Sequence, residues 1–219
     1  CRYYPRCGGC SLRHLDAAAA LDYKQESLAR DIGRAGLEVE AWLPPLQGAS
    51  DGYRRRARLA VQKTRDGRYE LGFRNVASRR IEPITTCAVL TPLLSTLLGY
   101  LPELLAAQPL LISEVELTEV TGPSPTLLVA LTAAPGQRLN DSGCERLLRA
   151  AAVAAAALEM QAEQLQLWWR EADQRDFSPL QELPKVAFEL PAGVRLAALP
   201  GQFLQVNETV NRAMIEQVL

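Results

Sequence analysis

The segment Tyr53–Asn75, YRRRARLAVQKTRDGRYELGFRN, alternates apolar and charged residues with a period of two. In an extended chain Ala57, Leu59 and Val61 fall on one side and Arg56, Arg58 and Ala60 on the other, the signature of a half-buried strand. Asp66-Gly67 supplies a tight turn, and Tyr69, Leu71 and Phe73 return on a single face. The segment therefore predicts a β-hairpin with an arginine-rich face. Between Arg54 and Arg80 stand ten arginines and lysines against two acids, in a chain whose net charge is −1. Because the field at a protein surface is screened over about 8–10 Å, a local surplus stays available to a polyanion whatever the total charge. Arg54, Arg55, Arg56, Arg58 and Arg74 are read as contacts to nucleic-acid phosphates. A solvated strand edge kept positive to block edge-to-edge pairing is the alternative.

Outward from the hairpin, residues 15–36 carry Leu15, Ala18, Leu21, Leu28 and Ile32 at helical spacing and close on Gly36. They predict a helix of about five turns. AWLPPLQGASDG (41–52) is a Pro/Gly linker. LISEVELTEV (111–120) and TLLVALTAA (126–134) read as strands joined by TGPSP, and 142–158 as a helix starting near Asn140-Asp141. LQLWWRE (165–171) is a further strand, VAFEL and VRLAAL form a hairpin around Gly193, and VNETVNRAMIEQVL (206–219) is a helix leading into another domain. The class is α+β, a mainly antiparallel sheet with a few helices and a cysteine-bearing N-terminal loop. Three units are expected: the loop plus helix over 1–45, a mixed RNA-positioning domain over 46–200, and the start of a further domain over 201–219.

The 219 residues, 48% hydrophobic, suffice for a sizeable core. The apolar tracts TLLVALTAA and AAAVAAAAL are shorter than the roughly 18–20 residues that cross a bilayer. No charged-then-apolar leader precedes Cys1, so a cytoplasmic location is expected, with no membrane and no obligate protein partner. A start on Cys and an end within a helical pattern suggest a segment of a longer protein.

CRYYPRCGGC places Cys1, Cys7 and Cys10 together, and Cys87 follows alone in ITTCAVL. A disulfide set is one reading, disfavoured where cytosolic thiols stay reduced. Zinc is another, although structural zinc sites usually pair two short Cys knuckles and only one is present. A four-iron cluster is the third: its separated corners suit three clustered ligands and a remote one. Cys144 reads as a small buried hydrophobe. His14 reads as either a donor supporting the cluster or a structural hydrogen bond. Trp168 and Trp169 point to opposite faces of one strand, one into the core and the other able to stack on a base.

CGGCSLRHL (7–15), YRRRAR (53–58) with GFR (72–74) after it, the isolated Cys87 and PGQFLQVN (200–207) resemble, in this order, the bacterial 23S ribosomal RNA uracil-5-methyltransferases of the iron–sulfur type. In that family an oligonucleotide-binding barrel precedes a central domain with a [4Fe–4S] cluster, and a Rossmann-like domain binds S-adenosylmethionine. The resemblance implies that Cys1, Cys7, Cys10 and Cys87 hold the cluster, that Gln205 touches S-adenosylmethionine, and that Phe203 and Asn207 lie beside the target base. It implies 23S ribosomal RNA as partner. It also places the thiolate nucleophile, the base and the glycine-rich cofactor loop beyond Leu219, so that this chain alone is expected to be inactive. Base methylation has no redox step, which leaves the cluster a structural or RNA-binding role. Two other classes use some of the same features. A non-catalytic zinc- or cluster-stabilised RNA-binding module needs only the cysteines and the basic hairpin, whereas a ferredoxin-type carrier leaves the arginine face and FLQVN without purpose.

Overall fold

In the computed structural model, which describes residues 1–219, the Tyr53–Asn75 hairpin forms part of a seven-stranded sheet. Along the chain the elements are α1 (Ala17–Arg34), β1 (Arg56–Lys63), β2 (Tyr69–Arg74), β3 (Ile81–Pro83), α2 (Pro92–Leu97), α3 (Leu101–Ala106), β4 (Ile112–Val120) and β5 (Thr126–Ala133). They continue with α4 (Asp141–Ala157), β6 (Leu165–Arg170), β7 (Ser178–Pro179), β8 (Ala187–Glu189), β9 (Arg195–Ala197) and α5 (Glu208–Val218). The strand order is β3-β2-β1-β4-β5-β6-β7, with β8 and β9 forming a separate hairpin. Every neighbouring pair is antiparallel except β5 and β6, which are parallel and joined through α4. The α+β class with a mainly antiparallel sheet is borne out. Gly67, at φ +86°, makes the β1–β2 turn in a conformation that L side chains rarely adopt.

One face of the sheet carries the main core. Ala57, Leu59, Val115, Leu117, Val129, Leu131, Leu167 and Trp169 meet the leucines of α2 and α3 and the buried side of α4. Even-numbered spacing alone would turn Ile112 away from Val115. A bulge between Ile112 and Glu114 restores it to the same apolar cluster. α4 starts where Asn140 accepts a hydrogen bond from the Gly143 N–H. The sequence reading assigned nothing to 91–106, where α2 and α3 lie. Their signals are a proline in each first turn and leucines three and four apart, such as Leu101, Leu104 and Leu105. α1 matches its predicted range, but none of its residues is buried, and its apolar stripe faces an open groove beside residues 46–50 and α5.

The opposite face is apolar only where Val120, Leu128, Phe188 and Ala198 cluster beneath β8 and β9. Its centre is ionic. The Glu116 carboxylate, 1% exposed, accepts from Arg56 at 2.9 Å, from Arg58 at 3.2 Å and from the Gly201 N–H at 2.8 Å. Removing the Glu116 carboxylate takes the acceptor from the mostly buried Arg56 and from the Gly201 N–H, while Arg58 keeps Glu114 and solvent. Glu116→Ala is expected to lower the unfolding free energy by about 3 kcal/mol in urea titration. Exposed Glu163→Ala should shift it by less than about 0.5 kcal/mol.

Candidate functional site

The N-terminal loop is built onto the end of β2. The Gly8 N–H donates to the Arg74 carbonyl at 2.9 Å, the Val76 N–H donates to the Arg6 carbonyl at 3.0 Å, and Arg6 pairs with Glu82 at 2.8 Å. The Thr85 N–H donates to the Tyr3 hydroxyl at 3.0 Å, tying the loop to the segment that carries Cys87. The Cys87 N–H in turn donates to Ser95 Oγ in α2 at 3.0 Å. These contacts bring Cys1, Cys7, Cys10 and Cys87 around one cavity, whose apolar wall includes Phe73, Ile84 and Val89. Burial pushes the Cys7 and Cys10 thiols up, and the nearby Cys87 adds to the effect. All five cysteines are free thiols. No three Cys, His, Asp or Glu side chains converge as a metal-ligating group, so the four thiols ring the cavity instead of meeting at a point. His14 braces the loop through its Nδ1, 2.7 Å from the Tyr4 hydroxyl. Cys144 lies apart from the cavity, its thiol donating to the Leu180 carbonyl.

The arginines part company in space. Arg55, read from sequence as a phosphate contact, is 2% exposed, and that expectation is corrected: no phosphate reaches a guanidinium enclosed this way. Its Nε donates to the Gln205 carbonyl at 3.2 Å, its Nη1 pairs with Glu208 at 3.3 Å, and its plane covers the Phe188 ring. Arg56, with 14% of its side chain exposed, is held by Glu116 and donates to the Gln202 carbonyl. Arg54 donates to the Arg56 carbonyl at 2.9 Å and lies over Phe73. Arg58 keeps about half its side chain in solvent, although Glu114 and Glu116 both pair with it. Arg74 is exposed, beside Arg79 and Arg80 in the turn between β2 and β3.

Residues 201–207 cross the ionic face as an extended strap. Its backbone is tied down by Glu116, Arg56 and Arg55, while the Phe203 side chain stands 84% exposed and Gln205 is exposed beside it. Asn207 caps α5, its Oδ1 accepting from the Val210 N–H at 3.1 Å. Trp169 belongs to the main core, whereas Trp168 packs partly buried on the other face.

No family model matches the chain. Individual proteins do. The 23S rRNA (uracil(1939)-C(5))-methyltransferase RlmD of Pseudomonas putida is 40% identical over 227 residues, that of Pseudomonas aeruginosa 39% over 226, and that of Halomonas elongata 35% over 224. Over its whole length the chain is homologous to 23S rRNA (uracil-C5)-methyltransferases. The resemblance read from the cysteine and FLQVN motifs is borne out. The chain spans about half the length of the curated relatives it matches, 44–46% of each.

The cysteine loop depends on a close approach that leaves no room for a side chain. A Cβ at Gly8 would stand 2.5 Å from the Arg74 carbonyl oxygen. Gly8→Ala is therefore expected to push the loop off β2 and to lower the unfolding free energy by about 1–3 kcal/mol. Gly33→Ala, in α1 with nothing within 4 Å of the added atom, should raise helix stability by up to about 1 kcal/mol. Thermal unfolding of the two variants beside wild type checks both signs.

Proposed function

We propose that the chain is the central, RNA-positioning part of an S-adenosylmethionine-dependent methyltransferase that acts on C5 of a uridine in 23S ribosomal RNA. The observation that carries this reading is the whole-length similarity to methyltransferases of that name, joined to a strap that presents Phe203 and Gln205 to solvent from a fixed backbone. C5 methylation needs a nucleophile at C6, a methyl donor and a base for the C5 proton. S-adenosylmethionine supplies the methyl group when bound. This chain contributes orientation: Phe203 offers a ring to the flipped or neighbouring base, and the Gln205 amide offers a donor and an acceptor to the cofactor. The nucleophile and the base are supplied by the part of the enzyme outside this chain, which is inactive by itself.

The four thiols around the apolar cavity fit a [4Fe–4S] cluster, with Cys1, Cys7, Cys10 and Cys87 as its ligands. A cubane has separated corners, which suits thiols that ring a cavity, and the cluster would fasten the N-terminal loop to the start of α2. Anaerobically prepared protein should hold about four irons per chain. Cys87→Ser should lose them and Cys144→Ser should keep them, as measured by metal analysis. Stoichiometric zinc without iron would sink the cluster assignment.

The end of β2 and the turn after it, which receive the loop, carry a cluster of three exposed cations. Arg74, Arg79 and Arg80 are exposed and take part in none of the ion pairs of the chain. Replacing all three with alanine should flatten the dependence of log RNA affinity on log salt by about two to three units, since each phosphate contact contributes roughly 0.7–0.9. An unchanged slope would return this turn to a solvated edge.

A further inference from the structure

The strap at 201–207 is held by its main chain, and the groups that hold it are charged side chains of β1 and β4. Glu116 takes the Gly201 N–H at 2.8 Å. Arg56 donates to the Gln202 carbonyl. Arg55 donates through Nε to the Gln205 carbonyl at 3.2 Å, and its own backbone N–H donates to the Val206 carbonyl at 3.0 Å. Beyond the strap, Glu208 at the start of α5 receives Arg55 Nη1. None of these bonds uses the side chain of Gln202, Phe203 or Gln205, all three of which are exposed.

We propose that Arg55, Arg56 and Glu116 are positioning residues that fix the strap so that Phe203 and Gln205 meet their ligands already oriented, and that Arg55 and Arg56 are not phosphate contacts. The inference rests on the methyltransferase reading above for what the strap binds. The physical argument is preorganisation. A strap free to move would have to be ordered when its ligands arrive, at the expense of affinity, whereas bonds made during folding remove that cost. Charged donors and acceptors suit the task because hydrogen bonds with one ionised partner are stronger than neutral ones. The planar guanidinium of Arg55 reaches two acceptors at once and stacks on Phe188, which a lysine cannot do.

The test compares the full-length methyltransferase with its Arg55→Met and Arg56→Met variants, using 23S ribosomal RNA and S-adenosylmethionine, with Arg138→Ala as a surface control. The expected result is a KM for S-adenosylmethionine raised about ten-fold, with kcat changed less than KM. The slope of log RNA affinity against log salt should stay within about half a unit of wild type. A slope flattened by about 0.7–0.9 per arginine with KM unchanged would make these residues phosphate contacts and overturn the proposal, as would no change in either quantity. If Arg55→Met does not fold, Arg55→Lys takes its place: it keeps the charge but not the fork, so the KM effect must remain. Wild-type enzyme that transfers no methyl group would refute the methyltransferase reading instead. Amide exchange in this chain then decides the clamp, with the amides of residue 55 and Gly201, which donate to the Val206 carbonyl and to Glu116, expected to exchange about ten-fold faster in Arg55→Met and β5 unchanged. Equal exchange in both proteins would overturn it.

Discussion

A carboxylate buried in the middle of a sheet has to be paired, and Glu116 is paired three times. Its partners come from β1, where Arg56 and Arg58 reach it, and from the strap, where Gly201 donates its N–H. Leaving such a charge uncompensated costs far more than the pair returns as net stability, so the value of the arrangement is specificity of placement. With Glu116 on β4 facing Arg58 in register, β1 cannot slide by one residue without turning Arg56 and Arg58 into the leucine core and Ala57 and Leu59 onto the ionic face. The strap cannot leave without stripping a donor from a buried acceptor. One side chain thus fixes the register of the hairpin and the path of the segment that follows Pro200.

The same ionic centre explains why charge counted along the sequence differs from charge found in space. ISEVELTEV looks like an acidic stretch remote from the arginines, yet β4 pairs with β1 so that Arg58 stands opposite Glu116 and Ala60 opposite Glu114. Part of the positive surplus is cancelled within the sheet, and Arg55 is withdrawn from solvent altogether. Among the cations left exposed and outside the ion pairs, Arg74, Arg79 and Arg80 sit at the end of β2 and in the turn after it, where the cysteine loop docks, and Lys63 and Arg65 sit at the opposite end of the hairpin. The positive charge is therefore displaced from the middle of the hairpin face to its two ends, one of them next to the thiols.

What could be read from the sequence was local. Alternation with an Asp-Gly turn declared the β1–β2 hairpin, Asn140 declared the start of α4, and the TGPSP turn separated β4 from β5. The four cysteines that spacing singled out do surround one cavity, because loop and remote cysteine are each anchored by backbone bonds to adjacent parts of the sheet. Non-local facts were not legible. Nothing in LQLWWRE shows that β6 runs parallel to β5, and nothing in YRRRAR shows which arginine meets Glu208 some 150 residues later. α2 and α3 were missed for another reason: leucines crowd residues 90–111 so densely that apolar contrast, the usual signal of a helix face, is weak.

Arg54 stands where the two halves of the candidate site meet. Its guanidinium lies over Phe73, a wall of the cysteine cavity. Its backbone N–H donates to the Val89 carbonyl at 2.7 Å and its carbonyl accepts from Thr91, on the stretch that follows Cys87. It also bridges to Asn207, the cap of α5. A shift of the cavity wall would be passed to the strap through this single residue. Coupling of that kind needs an element with two discrete arrangements, whereas every contact of Arg54 is to packed backbone or to a ring lining the cavity. The connection is that of a frame and not of a switch. A group bound by the four thiols would then serve by holding the frame still, a role that fits the proposed base methylation because that reaction has no net redox step.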